Sequence, residues 1–219
     1  MEIQPKELAD LFLAGEEEKA LQLVQQYLQQ HSQQDLYHQL LTPAMYRIGE
    51  LWENNIISVA DEHLATAVCD FVVSAAELKR ESIKGIKRKA MILGPEGEGH
   101  YIGMKMVSSL FKENGWQVHY MGPNLPLESA IESAKRWKPE VVALSAALVY
   151  RLPALQQYAA AFRELDFKPV ILLGGRAVSI ADPSFIREEG TVVVKDLQQL
   201  KDWIQTGKEA DDDFHFSIG

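Results

Sequence analysis

Cysteine is almost absent from this sequence of 219 residues, which contains only Cys69. A single cysteine cannot form an internal disulfide, and this suits a reducing compartment. The sequence also lacks any run of roughly 18 or more apolar residues, so no membrane span is expected. Its first residues show no basic stretch followed by an apolar one, and therefore do not resemble a signal peptide. We expect a cytoplasmic protein with no membrane partner.

Positive charge is scarce as well, since 22 lysines and arginines stand against 31 aspartates and glutamates and leave a net charge of −9. Binding to nucleic-acid phosphates requires clustered Lys and Arg, so we expect no direct nucleic-acid binding. The one basic cluster, from Lys79 to Lys89, is typical of a solvated linker. The composition, 47% hydrophobic and 24% charged, is that of one or two globular domains with a sizeable core.

Residues 1–88 contain no convincing strand pattern, whereas apolar residues recur there at helical spacing. A third helical segment, from about Asp35 to Glu53, contains Pro43, which predicts a kink or a break. A fourth runs from Ser58, a residue type that caps helices, to about Arg80. The pattern predicts four helices joined by short loops, and thus a small four-helix bundle.

From Lys89 onward, short apolar runs alternate with helical patterns. Strands that are apolar on both faces, each followed by a helix, predict a parallel sheet covered on both sides. The predicted fold class is therefore α/β: an N-terminal four-helix bundle followed by a flavodoxin-like, doubly wound, five-stranded parallel sheet. The predicted domains are residues 1–88, 89–208 and an acidic tail, 209–219. The predicted strands are 90–93, 116–121, 141–144, 170–173 and 191–194, and the predicted helices between and after them are 102–113, 127–137, 155–165 and 197–204.

The segment after the first predicted strand carries glycines, a histidine and an acid, in the order Gly97, Glu98, Gly99, His100. Glycines let a backbone approach a bulky ligand closely. A histidine that binds a metal usually donates its other ring hydrogen to a carboxylate, a part that Glu98 can play. Ligands of doubly wound sheets bind beyond the carboxyl ends of the strands. The other strand ends there contribute Gly122-Pro123-Asn124, Ser145 with Ala147, and Gly174-Gly175.

Other interpretations of these residues are open. A lone histidine after a strand is commonly a helix-start or surface residue, and a glycine pair is commonly a turn. A dinucleotide site is disfavoured, because Gly94, Gly97, Gly99 and Gly103 do not have the spacing of that fingerprint and no acid ends the second strand. The sequence also has no phosphate-loop lysine followed by Ser or Thr, and no pair of cysteines for zinc.

Taken together, the segment from Glu98 to Gly103, Ser145 and the pair Gly174-Gly175 resemble the cobalamin-binding domain of methionine synthase and its relatives. The family usually has Asp where this chain has Glu98. The resemblance implies that His100 displaces the dimethylbenzimidazole base and binds cobalt, while the freed nucleotide tail enters a slot lined by the serine and the glycines. The cofactor-binding residues it implies in this domain are Gly97, Glu98, Gly99, Tyr101, Ile102, Gly103, Gly122, Asn124, Leu144, Ser145, Ala147, Gly174 and Gly175.

Glutamate at position 98 is similar to one branch, the light-sensing cobalamin regulators of the CarH type. Two further features resemble that branch: the segment from Gly122 to Leu127, and Trp52 followed after nine residues by Glu62-His63. The resemblance implies that Trp52, Glu62 and His63 surround an adenosyl group on the upper face of cobalamin. From spacing alone, Trp52 also suits a core position, and Glu62-His63 suits a helix start.

The chain departs from that branch in two ways. Its first 15 residues are too few for a helix-turn-helix unit, so we expect no DNA-binding region here. Glu53 stands directly after the tryptophan, where the photoreceptors have a histidine that binds cobalt after illumination. A carboxylate is a poorer ligand for this step, which argues against complete photochemistry.

These observations predict a cobalamin-binding sensor or regulatory module, with adenosylcobalamin favoured over methylcobalamin and with a protein partner or a second copy of the chain as its target. The alternative is a corrinoid carrier for a cobalamin-dependent methyltransferase system, in which catalysis lies largely in other chains. Two further hypotheses are a cobalamin store or chaperone, and an interaction domain that has lost its ligand. An isomerase is not expected, because the chain lacks the barrel of roughly 250 residues that would hold substrate radicals.

Overall fold

The computed structural model describes residues 3–77, 88–181 and 190–206. The chain divides into two units, Met1–Glu81 and Ser82–Gly219. The predicted acidic tail, 209–219, and most of the predicted basic linker lie outside the described residues. No helix within the described ranges is long and apolar enough to cross a membrane.

The first unit is helical, and its four predicted helical segments are present. Buried apolar side chains such as Leu8, Phe12, Leu40 and Ile48 form its core. The helices are α1 (Pro5–Leu13), α2 (Glu17–Tyr27), α3 (Gln33–Asp35), a π-helical stretch (Leu36–Leu41), α4 (Thr42–Glu53) and α5 (Val59–Glu77).

The predicted kink at Pro43 takes the form of a change in hydrogen bonding within one continuous helical segment. The wide π-helical stretch ends at Leu41, and Pro43 lies in the first turn of α4. Pro43 has no amide to donate, and the hydrogen bonding changes from π-helical to α-helical directly before it.

The predicted cap at Ser58 is confirmed. The Asp61 amide donates to Ser58 Oγ over 3.2 Å, and the Ser58 amide donates to Asp61 Oδ2 over 2.8 Å. This reciprocal pair satisfies two amides at the start of α5 that have no partner inside the helix. The hydrogen bonds from Ser58 hold the pKa of Asp61 below its ordinary value.

The second unit contains a five-stranded, all-parallel sheet in the order β2-β1-β3-β4-β5, as the sequence predicts. Helices cover both faces and bury two apolar clusters, one containing Leu144 and Phe162 and the other containing Phe111 and Trp203. The strands are β1 (Lys89–Pro95), β2 (Gln117–Leu125), β3 (Val141–Ser145), β4 (Val170–Gly174) and β5 (Thr191–Val193). The helices are α6 (Ile102–Glu113), α7 (Leu127–Trp137), α8 (Leu152–Arg163), α9 (Arg176–Ile180) and α10 (Leu197–Thr206), with a 3₁₀ turn (Val149–Arg151) before α8.

Three details of the second unit differ from the prediction. Gly122 and Asn124 were expected after the second strand, but they lie inside β2, because the pairing of β2 with β1 continues through two register irregularities as far as Leu125 and Pro95. Helix α8 begins at Leu152 rather than three residues later. The short helix α9 was not predicted, since its five residues are too few for a periodic pattern.

Candidate functional site

The candidate site centres on the loop between β1 and α6, residues 96–101. Strand β1 is flanked by β2 and β3, and the chain enters this loop at the edge where the order of parallel strands reverses. That edge is where doubly wound sheets bind ligands. The Glu98 amide donates to the Pro95 carbonyl over 2.9 Å, which folds the loop back over the end of β1. The Glu98 side chain is 1% exposed, so this loop places a carboxylate inside the domain.

Glu98 holds His100 by two hydrogen bonds to the same carboxylate oxygen. His100 Nδ1 lies 2.6 Å from Oε1, and the His100 amide donates to Oε1 over 2.8 Å. The Ala147 amide donates to Oε2 over 2.8 Å, so a loop that follows β3 holds the same carboxylate. Burial alone would raise the pKa of Glu98, but the hydrogen bonds from His100 and Ala147 outweigh it and lower this pKa.

These hydrogen bonds fix the orientation of the His100 imidazole. An ionised Glu98 keeps the ring proton on Nδ1, which places the lone pair on Nε2, the nitrogen that can bind a metal. The His100 side chain is 59% exposed, although its carboxylate partner is buried. The sequence-based pairing of Glu98 with His100 is therefore present in the structure, and the arrangement is that of a metal-binding histidine with its supporting acid.

Asn124 supports the loop from the adjacent strand. Gly97 has φ +81°, a conformation that favours glycine, and its amide donates to Asn124 Oδ1 over 2.7 Å. Asn124 itself has φ +55°, in the left-handed region that asparagine tolerates. Asn124, predicted as a cofactor-binding residue, thus has a defined contact to the loop that carries His100. Gly122 is buried in β2 opposite Leu93.

A second support, Tyr158, was not found from the sequence. Its hydroxyl accepts a hydrogen bond from the Glu96 amide over 3.1 Å and donates to the Leu125 carbonyl over 2.7 Å, which ties the loop to the end of β2. Burial raises the pKa of this hydroxyl, so it remains protonated and able to donate. A tyrosine within a predicted helix gives no signal of such a role, because its partners lie far away in the sequence.

The pair Gly174-Gly175 brings the end of β4 against the end of β3. Gly175 has φ +99°, and a Cβ there would lie 2.8 Å from Ser145 Oγ and even closer to the Ala146 carbonyl oxygen. Ser145 pairs with Gly174 in the sheet. A glycine is therefore required at position 175 by a close approach, and this makes the pair more than a turn. Leu144, also predicted as a cofactor contact, is 1% exposed in the core.

Gly99 and Gly103 lack any comparable structural reason. A Cβ on either residue would meet no atom of the described residues within 4 Å, and neither has a positive φ. Tyr101 precedes α6, and Ile102 is its first residue; both are half-buried. The two glycines beside His100 thus leave open space, as a ligand that approaches the backbone closely requires.

Three predicted residues lie in the first unit. Trp52, near the end of α4, is 46% exposed, so the alternative of a core position is wrong. Glu62 and His63 lie near the start of α5, where Glu62 Oε2 is 2.9 Å from His63 Nδ1 and Glu62 Oε1 accepts from Thr66 Oγ1 over 2.8 Å. Glu62 is in the first turn of α5, which fits the helix-start interpretation as well.

These features define a class of protein. The second unit is a doubly wound α/β domain that presents an exposed, acid-supported imidazole at the carboxyl edge of its sheet, beside glycines with open space around them. An imidazole held in this way can bind a metal, and the open space at this edge leaves room for a larger group that carries the metal. The donor set and the open space fit a corrinoid.

Comparison with known families agrees with this class. Families described as B12 binding domains match two consecutive parts of the chain, residues 5–77 and 88–196. The chain belongs to a cobalamin-binding family made of these two domains. The predicted corrinoid cofactor is confirmed at this level, whereas the form of its upper ligand stays a prediction.

Several similar proteins are corrinoid proteins of Methanosarcina species. The chain is 23% identical over 174 residues to dimethylamine corrinoid protein 3 of Methanosarcina acetivorans, with 77% of the chain and 81% of the relative covered. It is 24% identical to the dimethylamine corrinoid protein of Methanosarcina barkeri, with 78% and 82% covered. The solved structure of the Methanosarcina barkeri monomethylamine corrinoid protein has a TM-score of 0.75 at 18% identity, covers 90% and 94% of the two chains, and shows the same fold. These relatives do not support the predicted closeness to CarH-type regulators.

Proposed function

We propose that this chain is the corrinoid carrier of a cobalamin-dependent methyltransferase system, with His100 as the lower axial ligand of cobalt. The observation that carries the proposal is the buried Glu98 carboxylate, 2.6 Å from Nδ1 of an exposed His100. Bound in this way, a corrinoid supplies a cobalt that accepts a methyl group from one enzyme and gives it to another. The names of the similar proteins favour this function over a sensor.

In this proposal Glu98 tunes the imidazole. A carboxylate on Nδ1 raises the basicity of Nε2 and thereby strengthens its bond to cobalt. Without a metal on Nε2, this nitrogen can take up a proton, and Glu98 would then stabilise the positively charged ring. Both steps need an ionised Glu98, which the lowered pKa of this carboxyl provides.

The glycines and Ser145 form the surface that we propose for the rest of the cofactor. Gly99 and Gly103 leave backbone with open space beside His100. Gly174 and Gly175 instead bring the end of β4 close to Ser145 at the end of β3. The Ser145 hydroxyl lies beside Gly175, where it can hydrogen-bond a polar ligand atom. The roles of Trp52, Glu62 and His63 toward the upper ligand stay predictions from the family resemblance.

A carrier must also meet partner proteins, and we propose methyltransferases as those partners. The light-sensing alternative requires an adenosyl ligand and a second cobalt ligand after illumination. Glu53 occupies the position that would supply that ligand, and a carboxylate serves poorly there. The carrier function needs neither feature.

The test is a titration of the full chain, in the dark, with hydroxocobalamin, methylcobalamin and adenosylcobalamin. A carrier binds methylcobalamin at least as tightly as adenosylcobalamin, and illumination leaves its elution from a size-exclusion column unchanged. Binding of adenosylcobalamin more than about tenfold tighter, a difference of roughly 1.4 kcal/mol, together with a light-dependent elution shift, would replace the carrier with a light sensor. A chain that binds none of the three would remove both functions.

A further inference from the structure

Arg151 lies against the loop that carries His100. It ends the 3₁₀ turn after β3, and a Cβ built on Gly97 would lie 2.7 Å from its Cζ, which shows that the guanidinium covers this glycine. The guanidinium also lies 5.1 Å from the centre of the Tyr150 ring. Arg151 is half-buried, and the glycine that it covers, Gly97, lies three residues before His100 in the loop.

The charge of Arg151 is not neutralised within the described part of the chain. Its Nε is buried and has no hydrogen-bond partner. The acid of the adjacent loop, Glu98, directs its two oxygens to His100 and Ala147. Other arginines of this unit have partners, such as Arg88 with Glu140 at 3.1 Å and Arg163 with Thr191 at 3.0 Å. A half-buried guanidinium without an acceptor is costly, and so it is suited to a ligand that brings one.

The chemistry of cobalamin indicates which of its groups can supply this acceptor. This step rests on the proposed function. Cobalamin carries neutral amide side chains and one formal negative charge on its periphery, the phosphodiester of the nucleotide tail. This tail hangs from the lower face of the corrin, the face that His100 would occupy. A planar guanidinium matches a phosphate with paired hydrogen bonds and opposite charge. We propose that Arg151 binds the phosphodiester of the nucleotide tail.

The experiment compares two probes, hydroxocobalamin and aquacobinamide, which lacks the nucleotide and its phosphate. Replacing Arg151 with Met keeps an unbranched side chain but removes the charge and all donors. Arg151→Met should weaken hydroxocobalamin binding roughly ten- to a hundredfold, the range of a charge-assisted hydrogen bond, and change aquacobinamide binding less than about twofold. Arg151→Lys should fall between wild type and Arg151→Met.

Arg136→Met is the matched control, because Arg136 is an exposed arginine of α7 with one loose ion pair, 3.7 Å from Glu132. It should bind both probes as wild type does. Equal losses of both probes in Arg151→Met, or no loss of either, would overturn the phosphodiester proposal. If wild type itself binds neither probe, the proposed function falls and this inference falls with it, which is a distinct result. Should Arg151→Met fail to fold, Arg151→Gln provides the same comparison.

Discussion

Oε1 of Glu98 accepts two hydrogen bonds from His100, one from the backbone amide at 2.8 Å and one from Nδ1 at 2.6 Å. One oxygen therefore fixes both the backbone and the ring of the residue two positions later. Because the carboxylate is 1% exposed and also held by Ala147, the ring is oriented before any ligand arrives. This preorganisation underlies the first two predictions.

Glu98→Gln should lower cobalamin affinity roughly ten- to a hundredfold, the range seen when a supporting carboxylate of a metal-bound histidine is removed. The amide is nearly the same size but lacks the negative charge that keeps the proton on Nδ1. The measurement is the dissociation constant from a spectral titration. Glu96→Gln, at the exposed neighbouring acid, is the control and should bind as wild type does. An affinity for Glu98→Gln within twofold of wild type would show that the charge plays no part.

His100→Ala should remove the protein's nitrogen from cobalt. Any cobalamin that still binds should keep the absorption spectrum of the form in which its own base is bound. His119→Ala is the control, since His119 is an exposed histidine of β2 that stacks on Trp137 with ring centres 3.6 Å apart. If His100→Ala matches wild type in spectrum and affinity, another residue is the ligand.

Gly175→Ala should destabilise the second unit by about 1–3 kcal/mol, because it combines a strained positive φ with a clash against Ser145 and Ala146. Gly174→Ala is the control. Its φ is not positive, and the nearest atom to its Cβ would be the Val194 carbonyl oxygen at an ordinary 3.5 Å. The measurement is the free energy of unfolding by denaturant, without cofactor. Equal stability of the two variants would mean that the close approach of β4 to β3 is not rigid.

Gly103→Ala should lower cobalamin affinity without lowering the stability of the fold. Its Cβ would meet no described atom within 4 Å, and alanine favours helix over glycine, so stability should be unchanged or rise by less than about 1 kcal/mol. Cobalamin affinity should nevertheless fall, because the methyl group occupies space that the proposed cofactor needs. Lys112→Ala, at an exposed position near the other end of α6, should leave affinity unchanged. An unaltered affinity in Gly103→Ala would mean that the open space is not part of the binding surface.

The regular parts of the fold were predictable from local sequence. The apolar runs of β1, β3 and β4 are buried as predicted, and α6 has the predicted bounds because Asn114-Gly115 ends it. The end of β2 was not predictable, since Gly122-Pro123-Asn124 reads locally as a turn. It is held in the sheet by pairing with β1, which is a tertiary effect.

In the candidate site, too, the contacts between residues close in sequence were predictable, and those between distant residues were not. The pairing of Glu98 with His100 follows from their spacing of two residues. The contacts of Glu98 with Ala147 and of Gly97 with Asn124 join residues 49 and 27 positions apart, so they depend on which loops the sheet brings together. Arg151 had one local signal, a single charge in the otherwise uncharged run from Val149 to Leu152, but its contact with Gly97 could not be read from it.

The carboxylate of Glu98 is shared by the imidazole and the chain after β3. Its removal would therefore release His100 from Oε1 and the Ala147 amide from Oε2 together. Two residues beyond Ala147 the 3₁₀ turn begins, with Tyr150 68% exposed at its surface. The orientation of the imidazole and the start of the chain that leads to this exposed turn thus depend on the same carboxylate.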